Sequence, residues 1–198
     1  MYFNSNIMIE VTLRNIICIT GLIFIAPFLF FMAIIILLED GLPVFFKQNR
    51  LGLRKKTFTI YKIRTMKKNT PELGTHEIEN AYKLSAGVMA RKLKIDEFPQ
   101  LINVLKGEIN LVGPRPGLKT QIELEQARSL HGIFNIKPGI TGLAQILGYD
   151  MSNPDKLAEV DKIYMTNRSL KIDLLILLGT FVKFPRKYLS TQLNVPMM

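Results

Sequence analysis

The chain has 198 residues, 48% of them hydrophobic, and carries 26 Lys and Arg against 16 Asp and Glu, a net charge of +10. That length fits one globular domain plus an appendage, and the basic excess favours anionic partners without choosing among nucleic acid, acidic lipid and phosphorylated metabolites. A single cysteine, Cys18, excludes a disulfide framework and a Cys-based metal site, and points to a reducing, cytoplasm-facing location.

The first element is the uncharged run NIICITGLIFIAPFLFFMAIIILL, residues 15–38, which as a straight helix would extend roughly 36 Å and cover a bilayer. No signal-peptidase pattern follows, so the segment is expected to stay attached. The basic excess after Arg50 would hold the remaining chain on the cytoplasmic side. Pro27 falls near the middle of the run, where it deletes the bond to the Ile23 carbonyl. Two half-helices of about 17 Å each would be too short to cross and long enough to dip in and return. On the residues alone, a spanning helix stays the first reading and a re-entrant one the second.

Lys47 to Lys68 holds nine basic residues and no acidic one. TFTIYKI alternates and Gly52 marks a turn, so the spacing predicts a basic β-hairpin, either lying against anionic groups or simply solvated. Residues 69–87 read as a loop ahead of a helix that carries Arg91. FPQLINVL then places Phe98, Leu101, Ile102 and Leu105 at helical spacing, with Gly107 as the stop and Asp96 and Glu97 in the first turn. Residues 119–131 read as a helix and 137–148 as a turn leading into a short strand. SNPDKLAEVDKIYMTN reads as a capped helix. The nine uncharged residues Leu174–Val182 are too few to span, and suit either a membrane surface or a core. No internal repeat and no separate second domain is evident.

Two stretches could carry chemistry. Carboxylates in a first helical turn are common caps, but Asp96 and Glu97 follow Arg91, Lys92 and Lys94, cations that would keep one of them ionised as a nucleophile requires. An oxygen-donor site without Cys or paired His suits Mg²⁺ over zinc; His76 and His131 are far apart and read as structural or surface groups. In VGPRPG, Arg115 stands between Pro114 and Pro116, a stiff turn whose guanidinium could fork onto phosphate oxygens or remain solvated. No Walker loop and no G-x-G-x-x-G opening a helix occurs, so ATP hydrolysis and Rossmann cofactors have no support, and with no reading helix beside the basic run the case for nucleic acid is weak.

Taken in order, the proline-interrupted apolar N-terminus, PVFFKQNRLG, FTIYKIRTM, IDEFPQLINVLKGEINLVGPRPG and KPGITGLAQ resemble the small monotopic phosphoglycosyl transferases among the bacterial sugar transferases. The resemblance implies an α+β fold: a mostly helical catalytic domain at 41–198 with a small β-hairpin and interfacial helices, behind an N-terminal re-entrant helix at 1–40 broken at Ala26-Pro27. It implies transfer of a sugar 1-phosphate from a UDP-sugar, an N-acetylated amino sugar in expectation, to a polyprenyl phosphate among the lipids of the bacterial inner membrane, on its cytoplasmic face. Asp96 matches the residue that forms a covalent phospho-sugar intermediate, Glu97 its Mg²⁺-associated partner, and Arg115 the phosphate-side arginine, with Arg91 expected beside it.

Three departures from the family pattern stand out. Arg14 is followed by Asn15, Ile16 and Ile17 where an acidic residue is usual; Ala26 replaces the serine before Pro27; and Tyr149-Asp150 stands where Arg-Asn is common. A membrane phosphohydrolase and a non-catalytic scaffold are the competing readings.

Overall fold

The computed structural model describes residues 5–68, 70 and 82–198. Most of the expected loop, and His76 within it, lies outside the described residues. The fold is α+β with a helical majority, in the order α1 (Ser5–Asp40), β1 (Phe45–Leu51), β2 (Thr57–Ile63), α2 (Ser85–Lys92), α3 (Leu101–Leu105), β3 (Asn110–Val112), α4 (Ile122–Leu130), β4 (Gly139–Thr141), α5 (Leu143–Leu147), α6 (Pro154–Asn167), α7 (Leu170–Phe181) and α8 (Lys183–Gln192). Two compact units form: Met1–Gln48 with Ile60–Gly107, and Asn49–Thr59 with Glu108–Met198. The basic hairpin is present as the two-stranded β1–β2 sheet; five connecting residues leave no room for a crossover, so the strands run antiparallel.

In the first unit, α1 is long and apolar enough to cross a membrane. It contains Pro27 instead of ending there. Helical backbone thus continues through the expected break at Ala26-Pro27, which is a proline inside one helical segment and not a gap between two. A proline removes one donor and crowds the preceding turn, but the flanking bonds survive when both halves have something to rest on. Both do. Before the proline, Gly21 lies against α3, where an added Cβ would stand 3.3 Å from Leu101 Cδ1; after it, Met32 and Ile36 are buried with Ile63, Leu84, Ala86 and Ala90. The remaining surface of α1 displays Ile23, Phe24, Phe28, Phe30, Phe31 and Leu38, as a lipid-facing helix must.

The end of α1 also organises α2. That helix begins after Leu84, whose side chain cannot cap it, and the Glu39 carboxylate does so instead, accepting from the Ser85 N–H at 2.7 Å and the Ala86 N–H at 3.2 Å. Asp40 accepts from Arg64 Nη1 at 2.8 Å. One turn into α2, a Cβ on Gly87 would run into the Thr65 backbone, so glycine is what lets α2 lie directly on the segment after β2.

The second unit is built on β3 and β4, which pair in parallel with Asn110 opposite Gly139 and Val112 opposite Thr141. A Cβ on Gly139 would strike Gly113; VGPRPG and KPGITG are thus two halves of one backbone crossing, which explains their glycines. Leu124, Leu143, Leu147, Leu157, Ile176 and Leu189 form the core around it. The α6 cap is as expected: Asn153 accepts from the Lys156 N–H at 3.1 Å and Pro154 fills the first position.

Two local expectations change. The stretch after β4 turns into the short helix α5, closed by Gly148 at φ 92°, where a strand was expected to continue. And α7 is a core helix on one face, where Ile172, Ile176 and Gly179 are buried, while Leu170, Leu174, Leu178 and Phe181 are exposed. Beyond Lys171 and Asp173 in its first turn it is largely apolar on the outward face as well as on the face in the core.

Candidate functional site

Asp96 and Glu97 stand in the first turn of a 3₁₀ segment, Ile95–Gln100, and not of the α-helix expected from FPQLINVL. Pro99 explains the difference: without an N–H it cannot make the α-helical bond back to Ile95, and the tighter winding takes over until α3 begins at Leu101. Of the expected apolar face, Leu101 is buried but Ile102 is exposed, and Val104 and Asn103 occupy the interior. Ahead of the segment Lys94 adopts the left-handed conformation at φ 56°, ψ 22°, a strained choice for a non-glycine residue. It redirects the chain between α2 and the acidic pair.

Asp96 is buried, at 8% exposure, although it is an aspartate in a first turn. A solvated cap would be open to water. Glu97 is held by Lys62 of β2, with Nζ donating to Oε1 at 2.7 Å. Arg91, in the last turn of α2, donates through Nε to Thr65 Oγ1 at 2.8 Å. β2 and α3 are tied by the fully buried Asn103, whose side chain accepts from the Tyr61 N–H at 3.3 Å. Asp96, Glu97 and Arg91 thus belong to consecutive elements of the first unit.

Lys62 was missed among nine basic residues; its signal was register, since alternation along TFTIYKI puts it on the same face as Phe58 and the buried Ile60. Gln100 was missed too. It is buried, with an Nε2 that has no hydrogen-bond partner.

Arg115 belongs to the second unit, in the loop after β3. The Pro114 carbonyl accepts from the Gly139 N–H at 3.0 Å and the Arg115 carbonyl from Arg128 Nη1 at 2.7 Å. Arg128, in α4, is itself buried against Asp161 of α6, with Nε and Nη2 donating to Oδ2 at 2.9 and 2.6 Å. Burial pushes the Asp161 carboxyl up from its ordinary pKa, and the adjacent guanidinium works against that shift. Tyr164 of α6 braces the strand leading into the loop: its hydroxyl lies 3.4 Å from the Val112 carbonyl oxygen and donates to Asp173 Oδ1 at 2.8 Å. Burial, and then the neighbouring Asp173 carboxylate, raise the Tyr164 pKa, keeping it a neutral donor.

Among the described residues no group of three or more His, Cys, Asp or Glu side chains could hold a metal. Two adjacent carboxylates nevertheless fit Mg²⁺, which keeps much of its water and takes one or two protein oxygens together with substrate phosphate. One oxygen of Glu97 is already engaged by Lys62, so the pair suits a metal arriving with a phosphorylated substrate better than a closed resident site.

The profile of the family described as Bacterial sugar transferase matches residues 6–187. The chain is 44% identical over 156 residues to "Uncharacterized sugar transferase EpsL" of Bacillus subtilis (strain 168), covering 77% of this chain and 75% of that protein. It is 36% identical to the UDP-N-acetylgalactosamine-undecaprenyl-phosphate N-acetylgalactosaminephosphotransferase of Aeromonas hydrophila, covering 78% of this chain and 38% of that one. To the UDP-glucose:undecaprenyl-phosphate glucose-1-phosphate transferase of Caulobacter vibrioides (strain ATCC 19089 / CIP 103742 / CB 15) it is 35% identical, covering 78% and 61%. With the ordered motifs, the buried aspartate beside an ion-paired glutamate and the apolar α1 in agreement with a match over nearly its whole length, the chain belongs to the bacterial sugar transferase family, a family of phosphoglycosyl transferases.

Proposed function

We propose that this protein moves a sugar 1-phosphate from a UDP-sugar to undecaprenyl phosphate, with the catalytic residues at the cytoplasmic face of the bacterial inner membrane, as an early step in building a surface glycan. The observation that carries the reading is Asp96: a carboxylate withdrawn from water, next to a lysine-held glutamate, in the same unit as a membrane helix. An Asp96 oxygen attacks the sugar-bearing phosphorus, the phosphoanhydride bond to UMP breaks, and UMP leaves with the bonding electrons. An oxygen of the lipid phosphate then attacks the same phosphorus and the aspartyl bond breaks, returning the carboxylate. One phosphoanhydride replaces another, so no ATP is needed.

Lys62 keeps Glu97 oriented, and Arg91 and Arg115 are the cations offered to donor phosphates. Mg²⁺ held by Asp96 and Glu97 would neutralise charge on the transferring phosphoryl group. The outward apolar face of α1 would hold the unit that carries Asp96 at the interface where a water-soluble donor and a lipid acceptor meet.

The direct test is UMP release from UDP-N-acetylgalactosamine, UDP-glucose and UDP-galactose, with undecaprenyl phosphate and Mg²⁺. The rate is expected to rise with added lipid phosphate for at least one donor. UMP release indifferent to the lipid would mark a hydrolase and remove the transferase reading.

For the membrane segment, contacts of both halves of α1 with the same unit support a helix that dips and returns over one that crosses. Single cysteines at residues 3 and 198, in a Cys18→Ser background, are expected to be labelled from the cytoplasmic side only. Labelling of residue 3 from the periplasm would overturn the re-entrant path.

A further inference from the structure

Four consecutive carbonyl oxygens of the Arg115 loop each accept a separate hydrogen bond: Pro114 from the Gly139 N–H, Arg115 from Arg128 Nη1, Pro116 from Arg50 Nη1 at 3.2 Å and Gly117 from the Leu51 N–H at 3.0 Å. The prolines have no N–H with which the loop could fix itself. Its pose is therefore set from outside.

Of the two arginines involved, Arg128 is the buried one, at 3% exposure, and its partner Asp161 is at 2%. A buried ion pair is a weak means of stabilising a fold, since apolar residues of similar bulk often do as well or better. What apolar residues cannot do is aim a donor. Two donors on one edge of the guanidinium, Nε and Nη2, are spent on a single Asp161 oxygen, which fixes its plane, and the remaining Nη1 then points at the Arg115 carbonyl.

We propose that Arg128, oriented by Asp161, is a positioning residue for the donor's diphosphate: by fixing the Arg115 carbonyl it fixes the direction from which the Arg115 side chain meets the phosphate oxygens. The inference rests on the phosphate role given to Arg115 above. Arg128 touches no substrate, and neither charge is needed for the fold.

The test uses the full chain in lipid nanodiscs containing undecaprenyl phosphate, with UMP release from the best donor of the panel as the readout. The double variant Arg128→Met/Asp161→Leu removes both charges and keeps the bulk. It is expected to unfold at the wild-type temperature yet lose roughly 10- to 100-fold in kcat/KM, the scale of a small misplacement of a binding group. Added to Arg115→Ala, it should cause little further loss, because both changes disable the same contact. Arg128→Lys should not support the wild-type rate, since a single ammonium cannot hold Asp161 in a fixed plane and reach the carbonyl as well.

Wild-type kcat/KM in the double variant while Arg115→Ala is impaired would overturn the positioning role alone, and so would losses that multiply independently. A fully active Arg115→Ala would instead remove the phosphate role of Arg115, and this inference with it. If the apolar pair does not fold, Asp161→Asn takes its place, keeping an acceptor for the guanidinium. A smaller loss, again absent on the Arg115→Ala background, is expected; no loss, or an independent one, overturns the proposal.

Discussion

Asp96→Asn is expected to cut UMP release by about 10⁴-fold or more, some 5.4 kcal/mol of barrier, while leaving the protein folded. The amide has nearly the shape of the carboxylate and can still accept hydrogen bonds, so the local turn survives. What it lacks is a charged oxygen able to attack phosphorus. If Asp96 were only a cap for the 3₁₀ segment, asparagine would serve almost as well and the rate would hardly move. A second readout removes the ambiguity of a rate: incubation with the donor but without lipid phosphate should add the mass of one sugar phosphate to the wild type and nothing to Asp96→Asn. An active Asp96→Asn enzyme, or a wild type never tagged at Asp96 by any accepted donor, rules out the aspartyl route.

Arg128→Met taken alone should behave differently from the paired substitution. Removing one member of a buried ion pair leaves the other charge uncompensated, which destabilises by about 3–5 kcal/mol. The loss should depend on pH in a definite sense. The folded-state pKa of Asp161 is already raised above its ordinary 3.8 by burial, against the pull of Arg128, so a proton on this carboxyl favours the folded state. Its stabilising contribution is complete below the unfolded value and is lost as pH rises through the folded one. Deleting the guanidinium removes the opposing pull and raises the folded pKa further.

The stability difference between wild type and Arg128→Met should therefore be largest near pH 7.5 and shrink on acidification toward pH 5, where Asp161 in the variant can take up a proton. Parallel urea unfolding in detergent at the two pH values measures it. A deficit that is constant or grows on acidification contradicts the buried-pair description. Asp161→Leu in the same background should return most of the lost stability at neutral pH, because no stranded charge remains.

Much of the molecule was legible from short-range pattern. The uncharged run of α1, the alternation of β2, the Asn153-Pro154 start of α6 and the acidic pair after three cations all depend on neighbours within a few residues, and periodicity, capping and turn chemistry operate at that range. The ordered motifs sufficed to recognise the family. Where local rules compete, the pattern misled: Pro99 turned an expected α-helical first turn into 3₁₀, and Pro27 did not end α1, because packing on both sides of it outweighed one missing bond.

Tertiary structure alone decided the partners. In the sequence Arg128 is one of 26 basic residues and Lys62 one of nine in a run; only folding across 33 and 35 positions makes the first a buried clamp on Asp161 and the second the holder of Glu97. Likewise, Glu39 closes a membrane helix in the sequence, and its role as the N-cap of α2 exists only once residues 46 positions apart meet. A side chain's charge is written in its codon, but its burial and its counter-ion depend on which distant surface arrives beside it. Local composition carries no record of that.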